Sequence, residues 1–442
     1  MRVRGHCPPS NVKGLRSSLL AWYRANKRDL PWRQEIDAYR VWISEIMLQQ
    51  TRVDTVIPYY AAFVARWPDV STLAAASPDD VRAAWSGLGY YRRAKLMMAA
   101  ADAIMRVHEG KFPSTAAELK ALPGFGRYTA GAVASIAFAE ETPAIDGNVE
   151  RVLARILGLE TDPRTALGAK AIFAMAQALV KGQDPGGLNQ ALMELGALVC
   201  TPRSPRCVAC PAAKACNAYL TERTHAIPPP RIKKPSPTIA LTAVVVVIDA
   251  DVDARVDARV DAESGALIDA PANALIDAQT EAGSNLSCAS VVLERQPESG
   301  LFAGLHTVPL LPGHLSTSEV SSMLRQRFGW VATGCIPVDN VKHILTHRTL
   351  DMNVMRVEGV RGVMARDSGL TAIPLDQLGR VGVPSATVRV LSAGLPPALR
   401  AITRFPGRRT VTRKSARSPE ECAKKASLGP RASVRTEKKL RP

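Results

Sequence analysis

The chain has 442 residues, 46% of them hydrophobic, and a formal net charge of +17. It is too long for one ordinary domain, and its apolar content suffices for two hydrophobic cores. The longest apolar stretch, Ile239 to Ile248, has about ten residues, whereas a membrane span needs about 18 or more. We therefore expect a soluble protein of two domains and exclude an integral membrane protein.

The positive charge suggests a polyanionic partner. Residues 400–442 contain 14 basic and 3 acidic residues, and residues 249–287 contain 9 acidic and 2 basic residues, so the remaining segments keep a positive excess. A basic folded surface favours binding to nucleic acid. Many soluble proteins carry a similar excess without binding DNA, so charge alone does not decide the function.

The first half of the chain is predicted to be helical. Apolar residues recur at three- and four-residue intervals from about Leu15 to Tyr219, which is typical of amphipathic helices. We predict an N-terminal segment over residues 1–12 and an all-α domain over residues 13–222.

Within that domain, residues 122–131 (LPGFGRYTAG) predict two helices joined by a glycine hairpin. The first helix should stop at Pro123, and the chain should turn through Gly124 and Gly126 before the next helix. The N–H groups and the positive dipole end at the start of the second helix suit an anion such as a DNA phosphate. The alternative is an ordinary helical corner that binds nothing.

Four cysteines follow at the end of the helical domain, with spacings of x6, x2 and x5. They are Cys200, Cys207, Cys210 and Cys216. Converging thiolates bind either a structural zinc ion or an iron–sulfur cluster, and this spacing matches neither paired C-x2-C zinc knuckles nor the bacterial ferredoxin pattern. Disulfides are disfavoured because no apolar signal segment opens the chain and the other cysteines are scattered singly. We therefore predict a metal site over residues 200–216.

A second domain is predicted after a proline-rich, semi-rigid linker over residues 223–237. Ile239 to Ile248 and Ala289 to Glu294 have the composition of strands, and Ser316 to Phe328 has the pattern of one amphipathic helix. This mixture predicts a smaller α+β domain over residues 238–395.

Two compositionally biased segments are assigned no catalytic or recognition function. Residues 249–287 form an acidic near-repeat, which predicts a solvated hairpin insertion without a core. Residues 396–442 are basic and are predicted to form a disordered tail that adds non-specific affinity for DNA.

Six motifs occur in order along most of the chain. Besides the hairpin they are LPWR from Leu30, SEIMLQQTRV from Ser44, GLGYYRRA from Gly87, IDGNVERVLAR from Ile145 and NQALMELGALVC from Asn189. Together with the cysteine spacing they resemble the MutY family of adenine DNA glycosylases, which join an all-α helix-hairpin-helix domain with an iron–sulfur loop to a Nudix-like α+β domain. The resemblance implies a [4Fe-4S] cluster on the four cysteines. It also implies excision of adenine opposite 8-oxoguanine or guanine in double-stranded DNA.

The resemblance gives two carboxylates the central roles. Glu45 matches the general acid that protonates adenine at N7, and Asp146 matches the group that faces the positive charge on the sugar, as in glycoside hydrolysis. Burial among apolar neighbours should raise the pKa of Glu45, whereas helix N–H groups should favour the ionised form of Asp146. From the local sequence alone, Asp146 is an N-cap and Glu45 is a solvated or ion-paired residue.

Tyr128 stands where the bifunctional relative endonuclease III has a nucleophilic lysine. Because a phenol cannot form a Schiff base, the resemblance implies a monofunctional glycosylase in which Tyr128 assists the aspartate. The local alternative is packing at a helix start. Asn148 is expected to support the chemistry on the sugar side.

Adenine in a duplex must be flipped out of the stack before it can be cleaved. By resemblance, Gln50 and Tyr90 enter the stack, with Gln49 nearby. The residues expected to line the base pocket are Leu30, Trp32, Arg33, Gln190 and Glu194. The hairpin glycines, Gly124 and Gly126, are expected to contact the DNA backbone. Trp32 and Tyr90 are also candidates for ordinary core aromatics.

In the second domain, residues 299–313 (SGLFAGLHTVPLLPG) resemble a loop and strand of the Nudix-like fold. Residues 345–347 occupy the place of the family's Phe-Ser-His loop, which reads 8-oxoguanine, and they are Leu345, Thr346 and His347. Leu345 replaces the usual aromatic residue, and Phe302 stands where tryptophan is common.

The rival function for this domain is Mg²⁺-dependent nucleotide hydrolysis. The helix from Glu319 to Gly329 lacks the glutamate pair that would supply hard oxygen ligands. We therefore expect the domain to recognise a base and not to hydrolyse nucleotides.

Two other classes of function stay open on the sequence. A non-catalytic DNA-binding protein would use the hairpin but would not need Glu45 and Asp146 together, and an iron–sulfur electron carrier would need a docking surface for its redox partner. We expect a monomer that does not bind membranes, located in the cytoplasm with a prokaryotic nucleoid.

Overall fold

The computed structural model describes residues 11–230, 235–249, 273–277, 289–365 and 369–400. All of these belong to one compact unit, residues 1–406; the second unit, residues 407–442, lies outside them. Three predictions therefore fall wholly or mainly outside the described residues, namely those for the N-terminal segment, the acidic insertion and the basic tail. Within the described ranges, no helix is long and apolar enough to cross a membrane.

The first part of the chain is all-α, as predicted. Its α-helices are α1 (Val12–Asn26), α2 (Ala38–Leu48), α3 (Val53–Arg66), α4 (Val70–Ala74), α5 (Pro78–Ala84), α6 (Arg92–His108), α7 (Ala116–Leu119), α8 (Arg127–Phe138), α9 (Gly147–Leu157), α10 (Ala166–Val180), α11 (Pro185–Leu198) and α12 (Asn217–Leu220). Short 3₁₀ turns lie at Pro31–Arg33, Cys207–Ala209 and Ala213–Ala215.

These helices pack around two separate hydrophobic cores. The first joins helices α2 to α8 and includes Trp42, Phe63 and Trp85, which are almost completely buried. The second joins α1 to α9–α12 around residues such as Leu19 and Leu153. Burial of one large apolar side chain stabilises the fold by about 1.5–3 kcal/mol, so each core holds its group of helices firmly. Elements of both cores contribute the candidate site described below.

The second part is an α+β domain built on one mixed sheet. Its elements are β1 (Thr238–Asp249), β2 (Asn273–Asp277), β3 (Ala289–Arg295), β4 (His306–Thr307), β5 (Leu310–Pro312), α13 (Thr317–Phe328), β6 (Val331–Ile344), β7 (Thr349–Ala365), β8 (Leu370–Pro374), a 3₁₀ turn at Leu375–Arg380, α14 (Ser385–Gly394) and α15 (Pro397–Arg400). The main strand order is β2-β7-β1-β3-β4, with β5 on β1, β6 on β7 and β8 on β3. Strands β1 and β7 are parallel, whereas the other pairs are antiparallel.

The sheet is covered by a helix on each face. Helix α13 packs with Val244, Val246 and Trp330 on one face, and helix α14 packs with strand residues such as Val245 and Val354 on the other. The predicted helix is confirmed: Ser316 caps α13, accepting a hydrogen bond from the Glu319 N–H, while the Glu319 carboxylate accepts one from the Ser316 N–H. Such a capping box satisfies two otherwise unpaired N–H groups.

Three boundary predictions need correction. The predicted tail begins with a helix, α15, because Leu399 is buried in the domain core. Residues 273–277, inside the predicted hairpin insertion, form strand β2, which pairs with β7 of the domain's sheet. The start of the predicted linker is packed, since Ile227 is buried against the helical domain and its carbonyl accepts a hydrogen bond of 2.9 Å from Arg155.

Candidate active site

A cleft of about 530 Å³ opens between the two helical cores. The predicted residues that line it are Leu30, Trp32, Arg33, Glu45, Gln49, Gln50, Tyr128, Asp146, Asn148, Gln190 and Glu194. The structure therefore brings together side chains from α2, α8, α9 and α11. The remaining predicted residues, in the hairpin turn, the cysteine loop and the second domain, lie outside this lining, as does Tyr90.

Glu45 lies on the inner face of α2 with only 6% of its surface exposed. Burial raises its pKa to about 7, and the nearby Asp146 carboxyl adds to this, although a hydrogen bond from the Tyr128 hydroxyl acts in the opposite direction. The predicted rise is confirmed. A substantial fraction of Glu45 is consequently protonated near neutral pH, as a general acid requires.

Asp146 is the N-cap of α9, as its local sequence predicts. Its carboxylate accepts hydrogen bonds from the Asn148 N–H at 2.9 Å, the Val149 N–H at 2.7 Å and the Asn148 side-chain amide at 3.0 Å. Asn148 in turn accepts a hydrogen bond of 2.9 Å from Arg151, which fixes the orientation of the amide. Asn148 thus holds the carboxylate in place.

The predicted direction of the Asp146 pKa is wrong. Burial raises it, and this cost outweighs the hydrogen bonds from Val149 and Asn148 and the charge of Arg151, all of which favour the ionised form. The pKa values of Glu45 and Asp146 therefore do not shift in opposite directions. Burial raises both, and the ionised form of Asp146 is favoured by more hydrogen-bond donors than that of Glu45.

Tyr128 lies in the first turn of α8, and its hydroxyl donates to the Glu45 carboxylate. Sequence reasoning assigned it to the aspartate, whereas its hydrogen-bond partner is the glutamate. Burial raises the pKa of Tyr128 well above its usual value. The phenol therefore stays protonated and acts as a donor to Glu45.

The helical hairpin has the predicted glycine turn before α8, but its first helix, α7, ends at Leu119 and not at Pro123 as predicted. Gly124 adopts φ +77°, and a Cβ there would lie 2.8 Å from the Cβ of Leu96, so the turn requires glycine. Gly126 is the N-cap of α8 and provides no side-chain cap. The first N–H groups of α8 are left for another acceptor, which is the arrangement of an anion site.

The floor of the cleft is an ion-paired triad. Glu194 is almost completely buried and binds Arg28 at 2.8 Å and Arg33 at 3.0 Å. Burial alone would raise the pKa of Glu194, but hydrogen bonds from Arg28 and Arg33 outweigh it and lower the pKa to about 2. Glu194 is thus a fixed anion that accepts hydrogen bonds. Arg28 was missed by sequence reasoning, although it lies only two residues before Leu30, the first residue of the LPWR motif.

The other pocket residues also serve the core. Leu30 and Trp32 are buried in the first hydrophobic core, and Trp32 packs edge-on against Tyr60 at 5.4 Å. Gln190 accepts a hydrogen bond of 2.9 Å from the hydroxyl of Tyr23. Trp32 is therefore both a core aromatic and part of the cleft wall.

Gln50 and Tyr90 project from two neighbouring turns. Both adopt positive φ, 58° and 50°, and both side chains are exposed, Tyr90 by 43%. Such backbone is costly for non-glycine residues and persists only where surrounding contacts enforce it. Gln49, beside them, lies 3.3 Å from the hydroxyl of Thr129.

Arg93 provides those enforcing contacts and was missed by sequence reasoning. Its buried guanidinium donates to the carbonyls of Ile46, Met47 and Gln49 at 2.6, 2.8 and 2.7 Å, at the end of the helix that carries Glu45. It also donates at 3.0 Å to the carbonyl of Gly89, next to Tyr90. Burial lowers the pKa of Arg93 to about 10. One buried cation thus joins the helix that carries Glu45 to both exposed turns.

The four cysteines lie close together at the end of α11 and in the turns that follow. Arg155 Nη1 lies 3.3 Å from the Cys200 sulfur, and Arg151 donates to the Cys200 carbonyl at 2.9 Å. Burial raises the pKa of Cys210 and Cys216 to about 11. Among the described residues, however, no three His, Cys, Asp or Glu side chains form a group that could hold a single metal ion.

The lesion-reading candidates form the turn between β6 and β7. The Leu345 N–H donates to the Arg348 carbonyl at 2.8 Å, and its side chain packs partly against the domain core. Thr346 and His347 are exposed, and the Thr346 hydroxyl is hydrogen-bonded to that of Tyr90. Phe302 adopts φ 59° and packs partly against the same core. Of the three candidates, Thr346 reaches the helical domain.

Comparisons with known proteins match both parts of the chain. Residues 43–175 match the family described as HhH-GPD superfamily base excision DNA repair protein, and residues 286–393 match the NUDIX domain. The adenine DNA glycosylase of Mus musculus is 36% identical over 351 residues, which cover 76% of this chain and 67% of that protein. The adenine DNA glycosylase of Homo sapiens is 36% identical over 352 residues, which cover 76% of this chain and 64% of that protein. The chain thus spans about two thirds of the length of these relatives. A solved structure of a thermostable thymine-DNA glycosylase is similar with a TM-score of 0.44 and 27% identity, over 48% of this chain and 97% of that one.

Proposed function

The chain belongs to the adenine DNA glycosylase family, and on this basis we propose that it hydrolyses the N-glycosidic bond of adenine in duplex DNA. The observation that carries the proposal is the buried Glu45, which has a pKa of about 7 and lines the same cleft as Asp146. One group can then give a proton to the base while the other faces the sugar.

In this mechanism Glu45 delivers its proton to N7 of the flipped adenine, which makes the base a better leaving group. Tyr128 holds the glutamate through its hydroxyl. Asp146, ionised and oriented by Asn148, stabilises the oxocarbenium character of the sugar before water completes the hydrolysis.

The proposed enzyme is monofunctional. Tyr128 occupies the first turn of α8, and a phenol cannot form the imine through which a lysine cleaves the strand. Adenine should therefore be released without an enzyme–DNA adduct that borohydride can trap.

Adenine recognition is proposed for the floor of the cleft. Glu194, fixed between Arg28 and Arg33, offers a permanent acceptor to the edge of the base, and Leu30 and Trp32 offer apolar surface. Gln50 and Tyr90 would occupy the space that the flipped nucleotide leaves in the stack. Gly124 and Gly126 would let a DNA phosphate approach the first N–H groups of α8.

A [4Fe-4S] cluster is proposed for Cys200, Cys207, Cys210 and Cys216. The donor set fits such a cluster, because four thiols from one short loop lie close together and a cubane cluster is bound by four cysteine thiolates. The cluster would hold the loop at the end of α11 rigid, with Arg155 beside Cys200.

The base opposite adenine is proposed to be 8-oxoguanine or guanine, read by Leu345, Thr346 and His347. Nucleotide hydrolysis is disfavoured as a second activity because Glu319, the acidic residue of α13, is already engaged by Ser316 in the helix cap. A monomeric state and a cytoplasmic, nucleoid-associated location complete the proposal as expectations.

The test is an excision assay on duplexes with adenine opposite 8-oxoguanine, guanine, cytosine or thymine, with the released base identified chromatographically. We expect free adenine from the first two duplexes and little from the others. Binding to all four duplexes without release of any base would favour the non-catalytic DNA-binding alternative. Efficient borohydride trapping would contradict the monofunctional mechanism.

A further inference from the structure

The turn that carries Tyr90 is bound by the second domain at a main-chain atom. This turn joins α5 to α6 and runs from Ser86 to Tyr91. The hydroxyl groups of Ser86 and Tyr91 both donate to the carbonyl of Val383, at 2.7 and 2.9 Å. Val383 lies in the short segment before α14, almost 300 residues further along the chain.

Both hydroxyl groups are well placed to hold the turn. Ser86 is 3% exposed, and burial raises the pKa of Tyr91 to about 12, so this phenol is always a donor. The Tyr91 oxygen also accepts a hydrogen bond of 3.2 Å from the Gly87 N–H. The phenol therefore connects the backbone of the turn to the backbone of the second domain.

The acceptor segment is itself fixed. The carbonyl of Gly382 accepts a hydrogen bond of 2.8 Å from the His306 N–H of strand β4. A Cβ at Gly382 would lie 2.9 Å from the Cβ of Arg82, so the two domains approach closely at this point. Val383 is thus held by its own sheet while it receives the two hydroxyl groups.

Ion pairs surround this contact, but they define the position of the turn less well than the two buried hydroxyl groups do. Arg82 and Lys95 each lie 3.7 Å from Glu298, and Arg295 lies 3.4 Å from Asp79. Most of these side chains are about half exposed, and exposed ion pairs contribute little to stability. The buried hydroxyl groups on Val383 are therefore the specific part of the contact.

The same turn meets the second domain at another place, because the hydroxyl of Tyr90 is hydrogen-bonded to Thr346. Thr346 belongs to the turn proposed to read the base opposite adenine. Tyr90 is proposed to enter the stack next to the flipped nucleotide. The 86–91 turn therefore lies between the group that reads the opposite base and the cleft that releases adenine.

We propose that Ser86 and Tyr91 are positioning residues that couple recognition of the opposite base to adenine excision. They hold the turn of Tyr90 against Val383. The second domain therefore determines the position of Tyr90 when Thr346 contacts the base opposite adenine. Neither residue lines the cleft, so neither takes part in the chemistry itself. This inference rests on the proposed adenine glycosylase function.

The test compares single-turnover excision by the full-length chain on adenine opposite 8-oxoguanine and adenine opposite guanine. Tyr91→Phe and Ser86→Ala each remove one hydroxyl group from Val383. We expect each to lower the ratio of the two rates by about threefold to tenfold, the effect of one lost neutral hydrogen bond, with the rate opposite guanine changed by less than about twofold.

Tyr59→Phe is the matched control. The Tyr59 hydroxyl donates at 2.7 Å to the Ser86 carbonyl, within the helical domain, so its loss perturbs the same turn without touching Val383. We expect it to affect both substrates equally. Thermal unfolding of each variant checks that the chain remains folded.

If Tyr91→Phe leaves the ratio of the two rates unchanged, whether or not both rates fall, the coupling is overturned while the glycosylase function stays intact. The proposed function would fail differently, through absence of adenine release by the unsubstituted chain in the same assay.

Discussion

The cleft of the helical domain and the turn of residues 345–347 differ in how their polar groups are held. In the cleft, Glu45 and Glu194 are buried and Asp146 is partly buried, and protein donors bind each carboxylate. In the turn, Thr346 and His347 are exposed, and Thr346 is hydrogen-bonded to Tyr90, whose side chain is itself exposed. Groups that transfer protons need fixed surroundings and shifted pKa values, whereas groups that read a base must stay accessible. The following predictions test this contrast, from the largest expected effect to the smallest.

Glu45→Gln should produce the largest loss. The amide keeps the size of the carboxyl but has no acidic proton, so single-turnover excision of adenine should fall by at least about 10²-fold. Duplex binding, measured by fluorescence anisotropy, should change little because Glu45 lies inside the cleft. A rate close to that of the unsubstituted chain would remove Glu45 from the mechanism.

Arg93→Met should destabilise the helical domain. It leaves the carbonyls of Ile46, Met47 and Gln49 without their buried donor, and hydrogen bonds to a charged group contribute about 1.5–3 kcal/mol. Urea unfolding measures the change in the free energy of unfolding. The matched control is Arg92→Met, because Arg92 is the exposed neighbour in the same helix. Equal effects of the two substitutions would contradict the role given to Arg93.

The rate of excision should depend on pH through Glu45. Its pKa is raised to about 7, and its protonated form is the active one, so activity is present below this pH and is lost as the pH rises through it. Above the pKa the rate should fall about tenfold per pH unit. A profile that is flat between pH 6 and about 9 would contradict this assignment.

The pH dependence of excision by Tyr128→Phe tests whether Tyr128 acts on Glu45. The Tyr128 hydroxyl lowers the pKa of Glu45, so its removal should move the alkaline limb of the profile to higher pH. A shift to lower pH would show that Tyr128 acts on another group.

Thr346→Ala should have the smallest effect. It removes one exposed hydrogen bond to Tyr90, so excision opposite 8-oxoguanine should slow by no more than about threefold, and Thr346→Ser should restore it. A loss as large as that of Glu45→Gln would remove the distinction between the cleft and the turn.

Features that depend on near neighbours in the chain were predictable from the sequence. The hairpin before α8, the N-cap at Asp146 and the cap of α13 at Ser316 all depend on side chains and backbone groups within a few residues. Apolar neighbours in the sequence also sufficed to predict that burial raises the pKa of Glu45.

Features that depend on distant contacts were not predictable in the same way. Arg28 pairs with Glu194, 166 residues away, and Arg93 binds carbonyls more than 40 residues before it. Tyr128 bonds to Glu45, 83 residues away, rather than to the aspartate. For Asp146, donors visible in the sequence suggested a low pKa, but the depth of burial that reverses the direction arises only when the two helical cores meet.

The acceptor at Val383 is a main-chain carbonyl. Its nature determines which substitutions, insertions and deletions would preserve the contact between the two domains. Replacing the valine by another residue of similar shape preserves the oxygen that Ser86 and Tyr91 require. Deleting or inserting a single residue between Val381 and Pro384 would instead move that oxygen and break both hydrogen bonds. Variation among natural relatives should therefore be freer in the identity of this side chain than in the length of its segment.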